Sequence, residues 1–301
     1  MIIKMLNLKR TVCLTMLLVI AALAEAQQSK VSAAYAFFQQ DQLDSARACI
    51  DAAVQHPETS ADAQAWYLRG FIYKTIYNKQ ERSNKLSPSR LEALTSFKKS
   101  TTLDTAQGNV QECIKNVKYL ATTLYNDAAA SLDSIDYKIA IGNFEKFKEY
   151  YLLVDPTPAN IQQKDIAFSL AMAALYTQIF ESNKKGKAEF LKMAKDAYNR
   201  ILAIDPNNIG ANYNMGVLYY NQAVNLINQS DYDLDIVALS DIQDNSINLF
   251  KESLPFMEKA YELDPKRRET LLGLSGIYFS LNEFEKSNMY KQKLEELEKQ
   301  K

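Results

Sequence analysis

Histidine, glycine, proline and cysteine are all scarce in this sequence, and each shortage excludes a class of structure. The 301 residues include one His, 8 Gly, 7 Pro and 3 Cys. A single His excludes a His-rich metal site, and no His-based catalytic triad is expected. Few Gly and Pro, together with many Ala, Leu, Lys and Glu, favour a mostly helical chain.

Basic and acidic residues almost balance. There are 35 Lys and Arg against 36 Asp and Glu, which gives a net charge of −1 at pH 7. Nucleic-acid binding requires an excess of basic residues, so no nucleic-acid partner is expected. Hydrophobic residues make up 47% of the chain, which is sufficient for a buried core in one or two domains or in one array of repeats.

The first 26 residues have the features of a secretory signal peptide. Three basic residues precede an uncharged apolar run at residues 11–23, and small residues occupy the cleavage positions that end at Ala26. The run is shorter than the ~20 apolar residues of a membrane span. We therefore expect cleavage after Ala26 and a periplasmic or secreted mature protein, residues 27–301. The alternative is an uncleaved N-terminal anchor.

Beyond the signal peptide, no stable membrane insertion and no disulfide are expected. No later apolar segment reaches the length of a membrane span. The mature chain keeps two cysteines, Cys49 and Cys113, which fall in helices separated by a whole predicted hairpin. Their separation predicts two free, buried thiols.

Prolines mark the ends of several predicted helices. Asp-Pro pairs occur at Pro156, Pro206 and Pro265, and His56-Pro57 ends a further amphipathic run. Pro cannot continue a helix and pushes the preceding residue out of helical geometry. Three of these helices carry a small residue followed by apolar residues four and seven positions later: Ala46, Ile50 and Ala53; Ala194, Tyr198 and Ile201; Ser253, Met257 and Ala260. This spacing predicts one buried stripe per helix.

The first helix of a predicted hairpin carries a second pattern. Residues 66–73 and 212–219 share Tyr, Gly and Tyr at equivalent positions, with Gly70 matching Gly216. Gly in a helix interior costs ~1 kcal/mol and is tolerated where a neighbouring helix approaches closely. Together the two patterns resemble the tetratricopeptide repeat (TPR), a helix–turn–helix unit of about 34 residues. Six such units are predicted, at residues 28–57, 63–104, 119–156, 166–206, 209–265 and 269–297.

The resemblance implies an all-α, right-handed superhelical solenoid of about six repeats. The first helix of each unit would line a concave groove, and Trp66 would lie between helices. The groove residues implied by the family register are Tyr35, Phe38, Tyr67, Phe71, Tyr125, Tyr213, Tyr220, Leu272 and Phe279. Tyr and Phe suit recognition because they bury large, rigid rings. The alternative is that some of these rings only pack against the next unit.

Several segments depart from the repeat pattern. Insertions at residues 77–89, 182–187 and 225–248 are expected in turns between helices. Pro255 is expected close to the start of its helix, where Pro is tolerated. Asp231, Asp233 and Asp235 alternate like Ca²⁺ ligands, but Ile236 occupies the position at which an EF-hand loop needs Gly. A solvated acidic insertion is therefore favoured over a metal site.

No catalytic or cofactor motif is recognisable in the sequence. It lacks the GxGxxG, GxxxxGK[ST] and HExxH patterns, so neither a cofactor nor an enzyme activity is expected. The signal peptide and hairpins are similar to those of periplasmic TPR proteins of Gram-negative bacteria. They imply a non-catalytic scaffold or adaptor that binds a peptide or protein of the envelope. The alternative is a periplasmic glycan- or small-ligand-binding module. The partner, the pathway and the oligomeric state stay open.

Overall fold

The computed structural model describes residues 30–183, 186, 188–228 and 235–299. Within those ranges the chain forms twelve α-helices and no β-strand, which confirms the all-α prediction. The predicted signal peptide, residues 1–26, lies outside the described residues. No helix of the described part combines the length and the apolar character needed to cross a bilayer.

The helices follow one another with short connections. Their bounds are α1 (residues 30–39), α2 (Leu43–Val54), α3 (Ala63–Ile76), α4 (Pro88–Leu103), α5 (Val110–Ala129), α6 (Tyr137–Val154), α7 (Ile161–Ser182), α8 (Ala188–Ile204), α9 (Ile209–Asn228), α10 (Ile236–Leu263), α11 (Arg268–Ser280) and α12 (Phe284–Lys299). A π-helix, Tyr77–Glu81, continues α3. Of the predicted insertion at residues 182–187, Ser182 ends α7 and Asn183 follows it; residues 184, 185 and 187 lie outside the described residues.

The chain divides into two compact units, one holding α1 to α6 and the other α7 to α12. In each unit, helices consecutive in sequence pack together as hairpins. The hairpins are TPR-like in their order and in their buried positions. The number of repeats and the superhelical path remain predictions from the sequence.

The predicted stripes, each of which begins at a small residue, form the buried faces of these hairpins. Ala46, Ala194 and Ser253 are completely buried. The apolar residues four and seven positions after each are at most 2% exposed. Burial of such side chains contributes ~25 cal/mol per Å² of apolar surface. The predicted helix ends are also confirmed, because α6, α8 and α10 each end directly before an Asp-Pro pair.

Residues 77–89 lie between α3 and α4, as expected for an insertion, but they form a loop only at residues 82–87. The π-helix occupies the first part, and Tyr77 is almost completely buried. The carboxylate of Glu81 accepts hydrogen bonds from the Ser87 and Ser89 hydroxyls, at 2.6 and 2.7 Å. Ser87 in turn caps α4 by accepting a bond from the Arg90 amide. The polar residues that indicated a loop are thus used to begin a helix.

Two expectations about α10 are wrong. The described part of residues 225–248 is mostly helical, because α9 extends to Asn228 and α10 begins at Ile236. Pro255 lies deep inside α10 rather than near its start. The stripe of Ser253, Met257 and Ala260 packs this part of the helix into the core of the second unit. Tertiary packing thus holds the helix together across its proline.

Candidate partner-binding cleft

An apolar cleft opens between α1 and α3 in the first unit, with a volume of about 440 Å³. Eight side chains line it: Val31, Ser32, Tyr35, Phe38, Gln64, Tyr67, Leu68 and Phe71. Four of the groove residues predicted from the sequence, two on each helix, are therefore brought together here. These are Tyr35, Phe38, Tyr67 and Phe71.

Helical spacing explains why these side chains share one surface. Val31, Tyr35 and Phe38 lie four and three residues apart, on one face of α1. Ala34 lies between Val31 and Phe38 on the same side of α1 and is completely buried in the core formed with α2 and α3. The Tyr35 side chain is 55% exposed, so a large ring stands at the mouth of the cleft.

A fixed set of aromatic rings forms the α3 side of the cleft. The ring centroid of Phe71 lies 4.9 Å from that of Tyr67 and 5.3 Å from that of Phe97, both in edge-to-face geometry. Phe97 belongs to α4 and is completely buried. Edge-to-face pairs of this kind add ~0.5–1.5 kcal/mol beyond area burial. The cleft wall is therefore held in place by the core behind it.

The rim of the cleft carries neutral polar groups. Burial raises the pKa of Tyr67, and the nearby Glu112 carboxylate adds to the rise. The Tyr67 hydroxyl is therefore protonated at neutral pH and available as a hydrogen-bond donor. Gln64 accepts a hydrogen bond of 2.8 Å from the Asn109 side chain, which ties the start of α3 to the residue before α5.

Two cations continue the surface beyond Phe71, and sequence reasoning missed both. The Lys74 ammonium lies 5.3 Å from the ring centroid of Phe71 and 5.4 Å from that of Tyr119. The Arg82 guanidinium donates a hydrogen bond of 2.6 Å to the Tyr119 hydroxyl. Lys74 follows Phe71 by one helical turn, which is a signal that the sequence does contain. Arg82 lies in the segment expected to be a loop.

The fifth predicted groove residue, Tyr125, lies elsewhere in the first unit. Its ring is half-buried on α5 and contacts the rings of Phe144 and Phe147 on α6, at centroid distances of 6.2 and 5.1 Å. This position matches the alternative that some of the aromatic residues pack against a neighbouring helix.

The remaining predicted residues belong to the second unit. Tyr213 is half-buried beneath the Arg267 guanidinium, 3.7 Å from its ring centroid, and burial raises its pKa. Tyr220 packs on Phe250 at 5.5 Å. Leu272 and Phe279 are exposed on α11, and the Phe279 side chain is 62% accessible. A common groove through all of the predicted residues stays a prediction.

Other candidate site residues have structural roles. The Trp66 indole donates a hydrogen bond of 2.8 Å to the Ser60 carbonyl and packs against the core of the first unit. Asp235 caps α10 by accepting a bond of 2.8 Å from the Ala238 amide. Asp231 and Asp233 lie outside the described residues. Among the residues that are described, no group of three or more His, Cys, Asp or Glu side chains could hold a metal ion.

No protein-family model and no curated protein matches the chain. Solved structures similar to it include a TPR protein from Bacteroides fragilis, with 14% identity over 83% of this chain and 97% of that one, at a TM-score of 0.45. A tetratricopeptide repeat protein from Parabacteroides merdae has 15% identity over 91% and 93%, at 0.25. YrrB, a TPR protein with an unusual peptide-binding site, has 17% identity over 81% and 89%, at 0.26. At TM-scores this low, the TPR-like description depends on the paired helices and buried stripes of this chain itself.

Proposed function

We propose that this protein is a non-catalytic interaction module that binds a segment of another protein in the cleft between α1 and α3. One observation carries the proposal. A single apolar cleft is lined by four aromatic side chains that the sequence predicts to be groove residues. They lie on two helices that pack against the core of the first unit. A few anchor residues supply most of the binding energy in protein interfaces, and Tyr is enriched among them.

The size and lining of the cleft suit apolar side chains of a partner. Its volume of about 440 Å³ falls within the roughly 300–1,000 Å³ of typical ligand pockets. Only Ser32, Gln64 and the two Tyr hydroxyls bring polar groups to the lining. A partner would therefore insert aliphatic or aromatic side chains and make a few hydrogen bonds at the rim.

The lining also supports a binding role over a catalytic one. None of the eight lining residues is His, Cys, Asp, Glu or Lys, so the cleft wall offers no nucleophile beside a base. The raised pKa of Tyr67 keeps that hydroxyl protonated, as a hydrogen-bond donor rather than a base.

The residue best suited to stacking on a glycan, Trp66, is not available for that role in this structure. Trp66 is the single Trp of the chain, and its indole is engaged with Ser60 and with the core. A glycan would have to rely on Tyr35 and Tyr67 for stacking, with few polar groups to read its hydroxyls. A protein segment fits the apolar lining better.

Export to the bacterial envelope is part of the proposal, supported by residues 1–26 of the sequence alone. The partner would then be another envelope protein or peptide. The test is N-terminal sequencing of the protein after cell fractionation. A chain that begins at Gln27 in the periplasm or medium is expected, and an intact Met1 terminus in the cytoplasm would contradict export.

The cleft itself is tested by peptide display on the purified protein, followed by binding isotherms of the selected peptides. The Tyr35→Ala variant is expected to bind them roughly tenfold more weakly, because a large ring at the mouth of the cleft is lost. Leu86→Ala is the matched control, since Leu86 is 57% exposed in the same unit and lies outside the cleft.

Equal losses in the two variants, or no loss in Tyr35→Ala, would refute binding in the cleft. A glycan panel run in parallel decides between the two ligand classes. Saturable glycan binding that is lost in Tyr35→Ala would favour the alternative.

A further inference from the structure

The two cations beside the cleft are held in place by neutral groups. Lys74 donates a hydrogen bond to the side-chain oxygen of Asn116. Arg82 donates to Tyr119 and to the side-chain oxygen of Asn78, at 2.6 and 3.1 Å. Neither cation forms an ion pair within the described part of the chain. Both charges are therefore oriented without a bound counter-charge.

Lys74 is the more constrained of the two. Its side chain lies between the rings of Phe71 and Tyr119. Burial lowers its pKa; the Glu112 carboxylate opposes part of this fall and Lys115 adds to it. Removing an ammonium from water is unfavourable unless an anion compensates it. A carboxylate arriving at this position would supply that compensation.

Arg82 is exposed, but its direction is fixed. The Tyr119 hydroxyl accepts from Arg82 and donates to Asn78 at 2.9 Å, so three side chains form one connected network. The Tyr119 ring is 37% accessible. A pre-oriented guanidinium loses less entropy on binding a carboxylate than a free one does.

The nearby carboxylates are already engaged. Glu112 accepts a bond of 3.2 Å from Asn116 and lies 3.9 Å from the Lys115 ammonium. Asp127 is bound by the buried Arg90, at 2.5 Å. Lys74, Arg82 and the nearby Lys115 are therefore three cations on this surface. The two nearby carboxylates are Glu112 and Asp127, of which Asp127 is paired with Arg90.

We propose that the cleft and these two cations form one composite site, and that its ligand is a protein segment carrying an Asp or Glu beside an apolar side chain. The apolar side chain enters the cleft and the carboxylate binds Lys74 and Arg82. This inference rests on the proposed function of the cleft and specifies the chemistry of its partner.

Two features favour a protein segment over a single-stranded nucleic acid. The cleft adjoining the cations is apolar and bounded by helices, so it accepts aliphatic side chains as well as flat rings. The net charge of −1 also opposes binding to a polyanion.

The test uses two synthetic peptide pools with the same Leu, Phe and Ala content, one with Glu and the other with Lys at every charged position. Retention on the immobilised protein is measured at low and at high NaCl. The wild type is expected to retain the Glu pool roughly tenfold better than the Lys pool, and salt should reduce this preference. Tyr35→Ala should weaken retention of either pool.

Replacing both cations, by Lys74→Gln with Arg82→Gln, should abolish the preference and its salt dependence while leaving apolar retention in place. Arg82→Glu should shift the preference towards the Lys pool. Lys99→Gln is the matched control, because Lys99 is an exposed lysine on α4, and it should behave as wild type. Circular dichroism verifies that each variant is folded.

The outcomes separate the two proposals. Equal retention of both pools by the wild type, with loss in Tyr35→Ala, overturns the acidic ligand but supports the cleft. A Glu preference that survives the double replacement overturns the role of Lys74 and Arg82. No retention of either pool refutes the cleft function and this inference together. Competition by a single-stranded oligonucleotide, dependent on the two cations, overturns the inference in favour of nucleic acid.

Discussion

Gly70 lies directly against the ring of Phe97, across the contact between α3 and α4. A Cβ atom added at Gly70 would stand 2.6 Å from Cε1 and 2.7 Å from Cδ1 of that ring. The Phe97 ring is completely buried and also supports Phe71 in the wall of the cleft. The absence of a side chain at Gly70 thus sets both the helix spacing and the position of the binding surface.

Gly70→Ala is therefore expected to destabilise the protein. The new methyl group must displace a buried ring, and overpacking of this kind costs ~1–3 kcal/mol. The gain in helix propensity of up to ~1 kcal/mol offsets only part of this. Urea unfolding followed by circular dichroism measures the difference.

Gly142→Ala is the matched control for Gly70→Ala. Gly142 lies inside α6, and an added Cβ would have no neighbour within 4 Å. This substitution should stabilise the protein by up to ~1 kcal/mol, because only the helix-propensity term remains. Equal effects at the two glycines would show that close helix approach is not the reason for Gly70.

Tyr73 provides a prediction at high pH. Its hydroxyl donates a hydrogen bond of 2.6 Å to Asp51, which also pairs with Arg69. Burial, followed by this bond, raises the pKa of Tyr73 to about 12. A folded-state pKa above the unfolded value of ~10 means that the contribution is complete below pH ~10 and lost as the pH rises towards 12.

Tyr73→Phe should thus lower the free energy of unfolding by ~1 kcal/mol at neutral pH. The gap between wild type and variant should close between pH 10 and 12. Tyr150→Phe serves as control, because the Tyr150 hydroxyl contacts Thr95 at an exposed position. A gap that stays constant over this interval would contradict the assigned role of Tyr73.

Glu81 provides the corresponding prediction in acid. Burial raises its pKa, but the hydrogen bonds from Ser87 and Ser89 outweigh this and leave the pKa below its ordinary value. A depressed folded-state pKa means that the contribution is complete above the unfolded pKa of ~4.3 and disappears as the pH falls through the folded value.

Glu81→Gln is therefore expected to be less stable than wild type at neutral pH and to approach it as the pH falls below about 4. Thermal unfolding across this pH range measures the difference. Glu295→Gln, at an exposed position of α12, should follow wild type throughout. If Glu81→Gln is instead as stable as wild type at neutral pH, the Glu81 network does not hold the start of α4.

The hairpin order and its core could be predicted because their signals are local. The spacing of Ala46, Ile50 and Ala53 along one helix face requires only a period of 3.6 residues and a proline at the end. The same pattern in α8 and α10 then identifies equivalent helices. Because the same stripe recurs in these three helices, aligning them predicts which positions of each helix are buried.

The cation pair beside the cleft could not be predicted in the same way. Arg82 meets Tyr119 across 37 residues of sequence, and no local pattern predicts a contact at that separation. The Asn, Lys, Ser and Pro residues around Arg82 favour a loop by composition. Residues 82–87 are indeed a loop, but composition predicts neither the π-helix before it nor the hydrogen bonds of Ser87 and Ser89 to Glu81.

Pro255 is another residue whose position in the fold local sequence rules do not predict. Pro lacks an amide hydrogen, so the carbonyl of Lys251 loses its helical partner, and a Pro in a helix interior costs ~3 kcal/mol. The sequence rule therefore expects a helix start near Pro255, but the packing of Ser253 and Met257 keeps α10 continuous. Ser253 donates a hydrogen bond of 2.7 Å to the Gly216 carbonyl on α9, next to the site of the strain.

Pro255→Ala should accordingly raise the free energy of unfolding by ~1–3 kcal/mol, because the backbone bond is restored while the packing is unchanged. Pro255 is exposed, so the smaller side chain leaves no cavity. Pro206→Ala is the control, since Pro206 follows the end of α8, and its removal should change stability by less than ~1 kcal/mol. A loss of stability in Pro255→Ala would show that this proline is required by the packing of α10 on α9.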